Sequence, residues 1–328
     1  MDRTQEPVDE PLIKSEPHTS GVEQVMKKTP PKNLPDAMLK GLRPKQWVKN
    51  VLVLAAPLAA GAESFNSRTA VDILLAFVVF CFGASSIYLI NDARDVESDR
   101  LHPTKRFRPI ASGMLPLNLA YVMAVILIAL ALGLSFLATD GTSLAIVIGT
   151  YIALQLGYCF GWKHIPVIDI ALVSSGFMLR TMAGGVAAGI DLSQWFLLVA
   201  AFGSLFMASG KRYSEILLAE RTGAKIRKSL EGYTPTYLRF VWTLAATAVV
   251  ICYTLWGFEL ANDAQTGGVW YQVSMVPFTI AILRYAADVD RGQGGAPDEI
   301  ALEDRTLQVL ALAWLACIAM AVYIMPLF

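Results

Sequence analysis

The sequence predicts an all-α polytopic membrane protein, a bundle of about nine transmembrane helices with its active site at the cytoplasmic side. Three observations predict it. The 328-residue chain is 55% hydrophobic and only 16% charged, with a mean hydropathy of +0.50, far too apolar for an ordinary soluble domain. Apolar stretches near the roughly 20 residues needed to cross a hydrocarbon core recur along the chain. The bases gather in alternate loops, as the positive-inside rule requires.

Residues 1–38 are rich in Pro, Glu, Lys and Ser, with no apolar signal region and no small-residue cleavage site. They read as a disordered, cytosolic N-terminal tail ahead of a transmembrane catalytic domain over 39–328. Spans are drawn near 47–62, 70–92, 116–138, 142–160, 166–190, 194–211, 235–259, 269–287 and 306–327. The first is short and contains Pro57, so a kink or tilt is expected there. Cys81, Cys159, Cys252 and Cys317 all lie inside apolar runs without CxxC spacing, and read as small buried side chains rather than a disulfide framework or a zinc site.

With the N-terminus inside, the inner segments hold nine Lys/Arg in 1–50, five in 94–108, one at Lys163, six in 211–228 and three in 284–305, or 24 of 27. The others are Arg68, in the first outer loop, and Arg180 and Arg239, within spans. This predicts a multi-pass plasma-membrane protein with N-terminus and chemistry cytoplasmic.

The stretch YLINDARDVESDRLHPTKRFRPIASG, residues 88–113, carries four acids and five bases directly after an apolar run. Asn91, Asp92, Asp95 and Asp99 fit NDxxDxxxD. At about 100° per residue they fall near 0°, 100°, 40° and 80° of a continuing helix, whereas Glu97 falls near 240°. Three carboxylates and an amide on one face repel one another unless a cation lies between them, and hard oxygen ligands suit Mg²⁺ bridging to substrate phosphates. Lys105, Arg106 and Arg108 follow at once, as phosphate-binding bases would. The plainer alternative is a solvated helix end. The arrangement points to a metal-chelated diphosphate and calls for no nucleic acid.

Other inner segments add candidates. Tyr158, Lys163, Asp169 and Arg180 stand out in YCFGWKHIPVIDIALVSSGFMLR. Asp169 and Arg180 fall nearly on one face, about 16 Å apart along the helix, and Arg180 lies deep enough to need a polar cavity or a partner; a structural ion pair is the alternative. Lys163 reads equally as an interfacial anchor. Lys211, Arg212, Tyr213 and Glu215 cluster at the inner end of the sixth span, as a mixed site or an anchor.

With its NDxxDxxxD motif, its Tyr158–Lys163–Pro166–Asp169 pattern and its nine spans, the chain resembles the UbiA superfamily of intramembrane prenyltransferases over about residues 40 to 328. That resemblance implies a prenyl diphosphate held through Mg²⁺ by two Asp-rich motifs. Where the family carries its second DxxxD motif, this chain has Lys211-Arg212-Tyr213-Ser214-Glu215. This departure, with LRPKQWVKN (Leu42–Asn50, including Lys45) and Arg284–Glu299, is similar to the branch of decaprenyl-phosphate phosphoribosyltransferases.

The branch implies phosphoribosyl pyrophosphate as donor, polyprenyl phosphate as acceptor, Mg²⁺ as cofactor on Asp92, Asp95 and Asp99, and a product for cell-wall arabinan. Asn91, Lys45, Lys105, Arg106, Arg108, Tyr158, Lys163, Asp169, Arg180, Lys211, Arg212 and Glu215 are then substrate-binding candidates. Assembly as a homo-oligomer stays open. Two other readings compete: a prenyltransferase with an aromatic acceptor, and a transporter with Asp169 and Arg180 on its pathway. Nearly uncharged outer loops disfavour the transporter.

Overall fold

The computed structural model describes residues 30–61, 66–222, 230–264, 266–291 and 304–325, and among these it contains helices and no strand. The expected disorder of residues 1–29 and most of the Arg284–Glu299 stretch lie outside the described residues. A short helix α1 (Leu34–Leu42) starts inside the expected tail, because Asn33 accepts the amide of Asp36 as its cap and Ala37 is fully buried. Helical structure is thus present before residue 39.

After α1 the chain does not form the first expected span as an α-helix. Pro44–Leu54 is a 3-10 helix, followed by the short α2 (Ala55–Ala59). Its extra rise lets the two pieces cover about 30 Å, and they run the length of the bundle. Arg43 lies beside Asp92 at one end, and Gly61 lies beside Val322 at the other.

Eight long helices follow: α3 (Ser67–Arg94), then after the single-turn α4 (Val96–Leu101), α5 (Leu117–Ser135), α6 (Gly141–Cys159), α7 (Ile168–Ala187), α8 (Gln194–Thr222), α9 (Pro235–Asp263), α10 (Gly268–Asp290) and α11 (Arg305–Ala319), which runs on as a π turn over Met320–Ile324. Six of them, α3, α5, α6, α7, α9 and α11 with its π turn, are long and apolar enough to cross a membrane. α8 carries charge along its last turns and α10 has Pro277 within it. Side-chain caps start several of these: Asn66 on the amide of Thr69, Asp140 on Ser143, Thr234 on Tyr237 and Asp304 on Thr306.

α3 is the central helix. Ala120, Ala124 and Ala131 of α5 are fully buried in the core that includes Ala76, Phe80 and Ala84 of α3 and Leu144 and Ile148 of α6, and such small residues let helices approach where lipid supplies no hydrophobic drive. A second core joins α8, α9 and α10 through Phe206, Tyr213, Leu238, Trp242 and Val289.

The helices alternate in direction, so each end of the bundle collects one set of loops. At one end Arg68 bonds Thr139, the Asp140 amide bonds Ala187 O, and Ser193 bonds Glu259. At the opposite end lie Asp92, Asp95, Lys163, Asp169, Arg212, Asp290 and Arg284 with their partners.

Candidate active site

The acidic motif sits at the exit of α3. The expected continuous helix is broken at Asp95 (φ −92°, ψ 10°), where α3 ends and α4 starts. The hydrogen-bond rungs nevertheless carry across, Asp95 N to Asn91 O and Asp99 N to Asp95 O, both 2.9 Å. Asp92 and Asp99 therefore stay on one side and are 4% and 2% exposed. Glu97 faces solvent and pairs with Arg100.

Buried carboxylates need compensation, and each has it. Arg43 donates through Nη2 to both oxygens of Asp92 at 2.6 Å. Arg108 Nη1 donates to Asp92 Oδ1 at 2.9 Å and to Asp99 Oδ2 at 2.6 Å. Lys105 Nζ lies 3.8 Å from Asp99, and Lys163 Nζ reaches Asp95 at 2.8 and 3.0 Å. Asn91 accepts from the Cys159 thiol at 3.8 Å.

Arg43 is a site residue that the sequence did not single out. It adopts the left-handed region (φ 55°, ψ 58°) just before Pro44, a conformation costing a non-glycine residue about 1–2 kcal/mol. The bidentate bond to Asp92 and a stack over Tyr88 at 4.8 Å hold it there. The available signal was the Arg-Pro pair, since proline disfavours the right-handed α region for the residue before it.

Oxygens of Asp92 and Asp99 converge on one Arg108 nitrogen, so a guanidinium stands where two hard carboxylate ligands meet, and that donor pair fits a Mg²⁺ ion. The expected set of three is not assembled: Asp95 turns to Lys163, and among the described residues no three His, Cys, Asp or Glu side chains come close enough to hold a metal.

A second charged cluster forms at the start of α7. Asp169, 1% exposed, accepts a short hydrogen bond from Tyr233 and forms an ion pair with Arg212 at 2.8 Å. The Val167 amide donates to the Tyr233 oxygen at 2.5 Å. Burial, and next the bond to Asp169, push the Tyr233 hydroxyl well above its ordinary pKa, so it remains a neutral donor.

Of the residues expected at the sixth span, Arg212 is thus neutralised by Asp169 and Lys211 is exposed. Tyr213 is buried against Asp290 and Arg239, and Glu215 is half-buried. Lys45 and Arg106 are exposed, Arg106 over the Phe107 ring, and Tyr158 is half-buried.

Asp169 and Arg180 both lie on α7 and are both buried. Some 16 Å of helix is beyond side-chain reach, and Arg180 instead bonds Asn50, Gly176 O and Tyr151. Its three bonds go to buried neutral groups rather than to the carboxylates of either charged cluster.

The sequence model of the UbiA prenyltransferase family matches residues 50–302. The chain is 78% identical over 318 residues to the decaprenyl-phosphate phosphoribosyltransferase of Corynebacterium glutamicum, covering 97% of this chain and 96% of that one. Proteins of that name from Mycolicibacterium smegmatis and Mycobacterium tuberculosis are 62% and 59% identical, over 90% and 89% of this chain and 95% and 96% of theirs. Among solved structures, a UbiA homolog from Archaeoglobus fulgidus bound to DMAPP and Mg²⁺ shares the fold at a TM-score of 0.64 and 17% identity, over 89% of this chain and 99% of that one.

Proposed function

The chain belongs to the UbiA prenyltransferase family, and from that premise we propose that it transfers 5-phosphoribose from phosphoribosyl pyrophosphate to decaprenyl phosphate. The ribose C1–O bond to pyrophosphate breaks, a bond from C1 to an acceptor phosphate oxygen forms, and pyrophosphate leaves. The near-full-length identity to three phosphoribosyltransferases supports the activity. The single observation that carries the donor is Arg212 on Asp169: where the family's second acidic motif would stand, this chain has a base that pairs with a carboxylate of its own. One carboxylate-rich end and several basic groups suit a donor with a diphosphate on C1 and a separate phosphate on C5.

Asp92 and Asp99, with Asp95 beside them, would hold Mg²⁺, which when bound neutralises charge growing on the leaving pyrophosphate. Arg108, Lys105, Arg106 and Lys163 flank that position and bind phosphate oxygens; Lys211 and Lys45 are exposed bases for the donor's other phosphate or the acceptor's head. The acceptor is already an anion, so no strong general base is needed. Exposed His102 accepts the amides of Thr104 and Lys105. The lipid acceptor enters from the membrane, the site faces the cytoplasm, and the product feeds cell-wall arabinan.

Purified protein incubated with labelled phosphoribosyl pyrophosphate and polyprenyl phosphate is expected to form a lipid-linked phosphoribose, and excess chelator is expected to stop it. Turnover of a prenyl diphosphate with an aromatic acceptor, and none of phosphoribosyl pyrophosphate, would replace this assignment with the ordinary family chemistry.

A further inference from the structure

Arg180 lies about 18 Å along α7 from its start at Ile168, and a guanidinium at that depth is costly. Its neighbours are neutral. Nε donates to Asn50 Oδ1 at 2.7 Å, Nη1 to Gly176 O at 2.6 Å and Nη2 to the Tyr151 hydroxyl at 2.9 Å. The rings of Tyr151 and Phe80 lie 4.7 and 5.7 Å away, which spreads the charge further.

Asn50 belongs to the 3-10 segment Pro44–Leu54. A 3-10 helix has three residues per turn, so positions three apart share one face; here those are Trp47, Asn50 and Val53. Each is fixed to the bundle. Trp47 Nε1 donates to Ser85 Oγ at 3.1 Å, and Ser85 in turn donates to Leu42 O at 2.8 Å. Asn50, 1% exposed, holds Arg180 and donates to Cys81 Sγ at 3.2 Å. The Val53 carbonyl packs where Gly184 has no Cβ, since one placed there would lie 2.0 Å from that oxygen. The near end of the same segment is Arg43, left-handed at its backbone and clamped on Asp92.

We propose that Arg180 is a positioning residue for the transfer reaction: it fixes the 47–50–53 face of the segment on α3 and α7, and so sets where Arg43 meets Asp92. The inference rests on the reading of Asp92 as part of the donor site. Arg180 acts through Asn50 and never touches substrate.

The test is a double-mutant cycle on the full-length protein, read as the apparent KM for phosphoribosyl pyrophosphate and for polyprenyl phosphate, with thermal unfolding in detergent measured alongside. Arg180→Lys keeps the charge and loses the fork, and Asn50→Ala removes the same link from the other side. Either is expected to raise the donor KM roughly 10- to 100-fold, as loss of a hydrogen bond to a charged group does, and to change the acceptor KM far less. In an Arg43→Gln background, Arg180→Lys is expected to add no more than about twofold, because both changes break one path. Additive effects, or a lowered melting temperature with both KM values unchanged, would reduce Arg180 to a packing role and overturn the proposal. If Arg43→Gln by itself leaves the donor KM unchanged, the donor-site reading fails too, a result distinct from additivity.

Discussion

At the residue scale, the exposure of each carboxylate ranks its expected importance. Asp92→Asn removes a charge that Arg43 and Arg108 share, and Asp99→Asn one that Arg108 and Lys105 share. Both are expected to cut turnover by orders of magnitude, since groups that meet developing charge act mainly in the transition state. Glu97→Gln, on a side chain open to solvent, is expected to be nearly silent. Initial rates of the three variants check the order; a Glu97→Gln loss matching that of Asp99→Asn would remove the buried pair as the site. The second cluster gives a stability contrast. Arg212→Gln strands the buried Asp169 and is expected to cost roughly 3–5 kcal/mol, whereas Lys211→Gln on an exposed neighbour is expected to leave thermal unfolding unchanged. The spacing of the motif was legible because NDxxDxxxD is local. Its bases Lys105, Arg108 and Lys163 were legible as candidates, but Arg43, 49 residues from Asp92, was not, and neither was Tyr233 of the second cluster, 64 residues from Asp169.

At the scale of elements, hydropathy located the segments and misjudged one geometry. The run near 47–62 was apolar enough to be drawn as a span, yet composition does not report three residues per turn against 3.6. The 3-10 form is selected by partners distant in sequence: Ser85, Cys81, Arg180 and Gly184. The spans expected at 194–211 and 269–287 were legible as helices, and their extension to Thr222 and Asp290 follows from charged turns that continue past the apolar layer. The close approach at Gly184 yields a sharp expectation. Gly184→Ala puts a Cβ 2.0 Å from the Val53 carbonyl oxygen, which is backbone and cannot rotate away, so the segment must shift. A loss of about 1–3 kcal/mol is expected from such overpacking, together with a raised donor KM. Gly149→Ala, whose Cβ would meet Leu132 at an ordinary 3.8 Å, is the matched control. It is expected to be neutral or slightly stabilising, since alanine favours a helix interior by up to about 1 kcal/mol. Equal melting temperatures for the two variants would show that the segment yields freely.

For the molecule as a whole, alternating helix directions bring every carboxylate–base pair of the proposed site to one end, although the chain supplies them from positions 43 to 212. The segments that the sequence assigns to one side of the membrane hold 24 of the 27 Lys and Arg residues. Retention of positive charge on the cytoplasmic side during insertion predicts that this end faces the cytoplasm, as the proposed meeting of a soluble, highly charged sugar donor with a lipid acceptor at the inner surface requires. The orientation is testable with single cysteines at opposite ends. Glu97 is exposed beside the acidic motif, and Asp191 is exposed in the turn between α7 and α8 at the far end, while the native Cys81, Cys159 and Cys252 are buried. A membrane-impermeant maleimide is expected to label Glu97→Cys in inverted vesicles and not in intact cells, and Asp191→Cys in intact cells and not in sealed inverted vesicles. The Cys317 background is read from the parent protein. The opposite pattern would place the site outside, where phosphoribosyl pyrophosphate is not made, and would force a different donor.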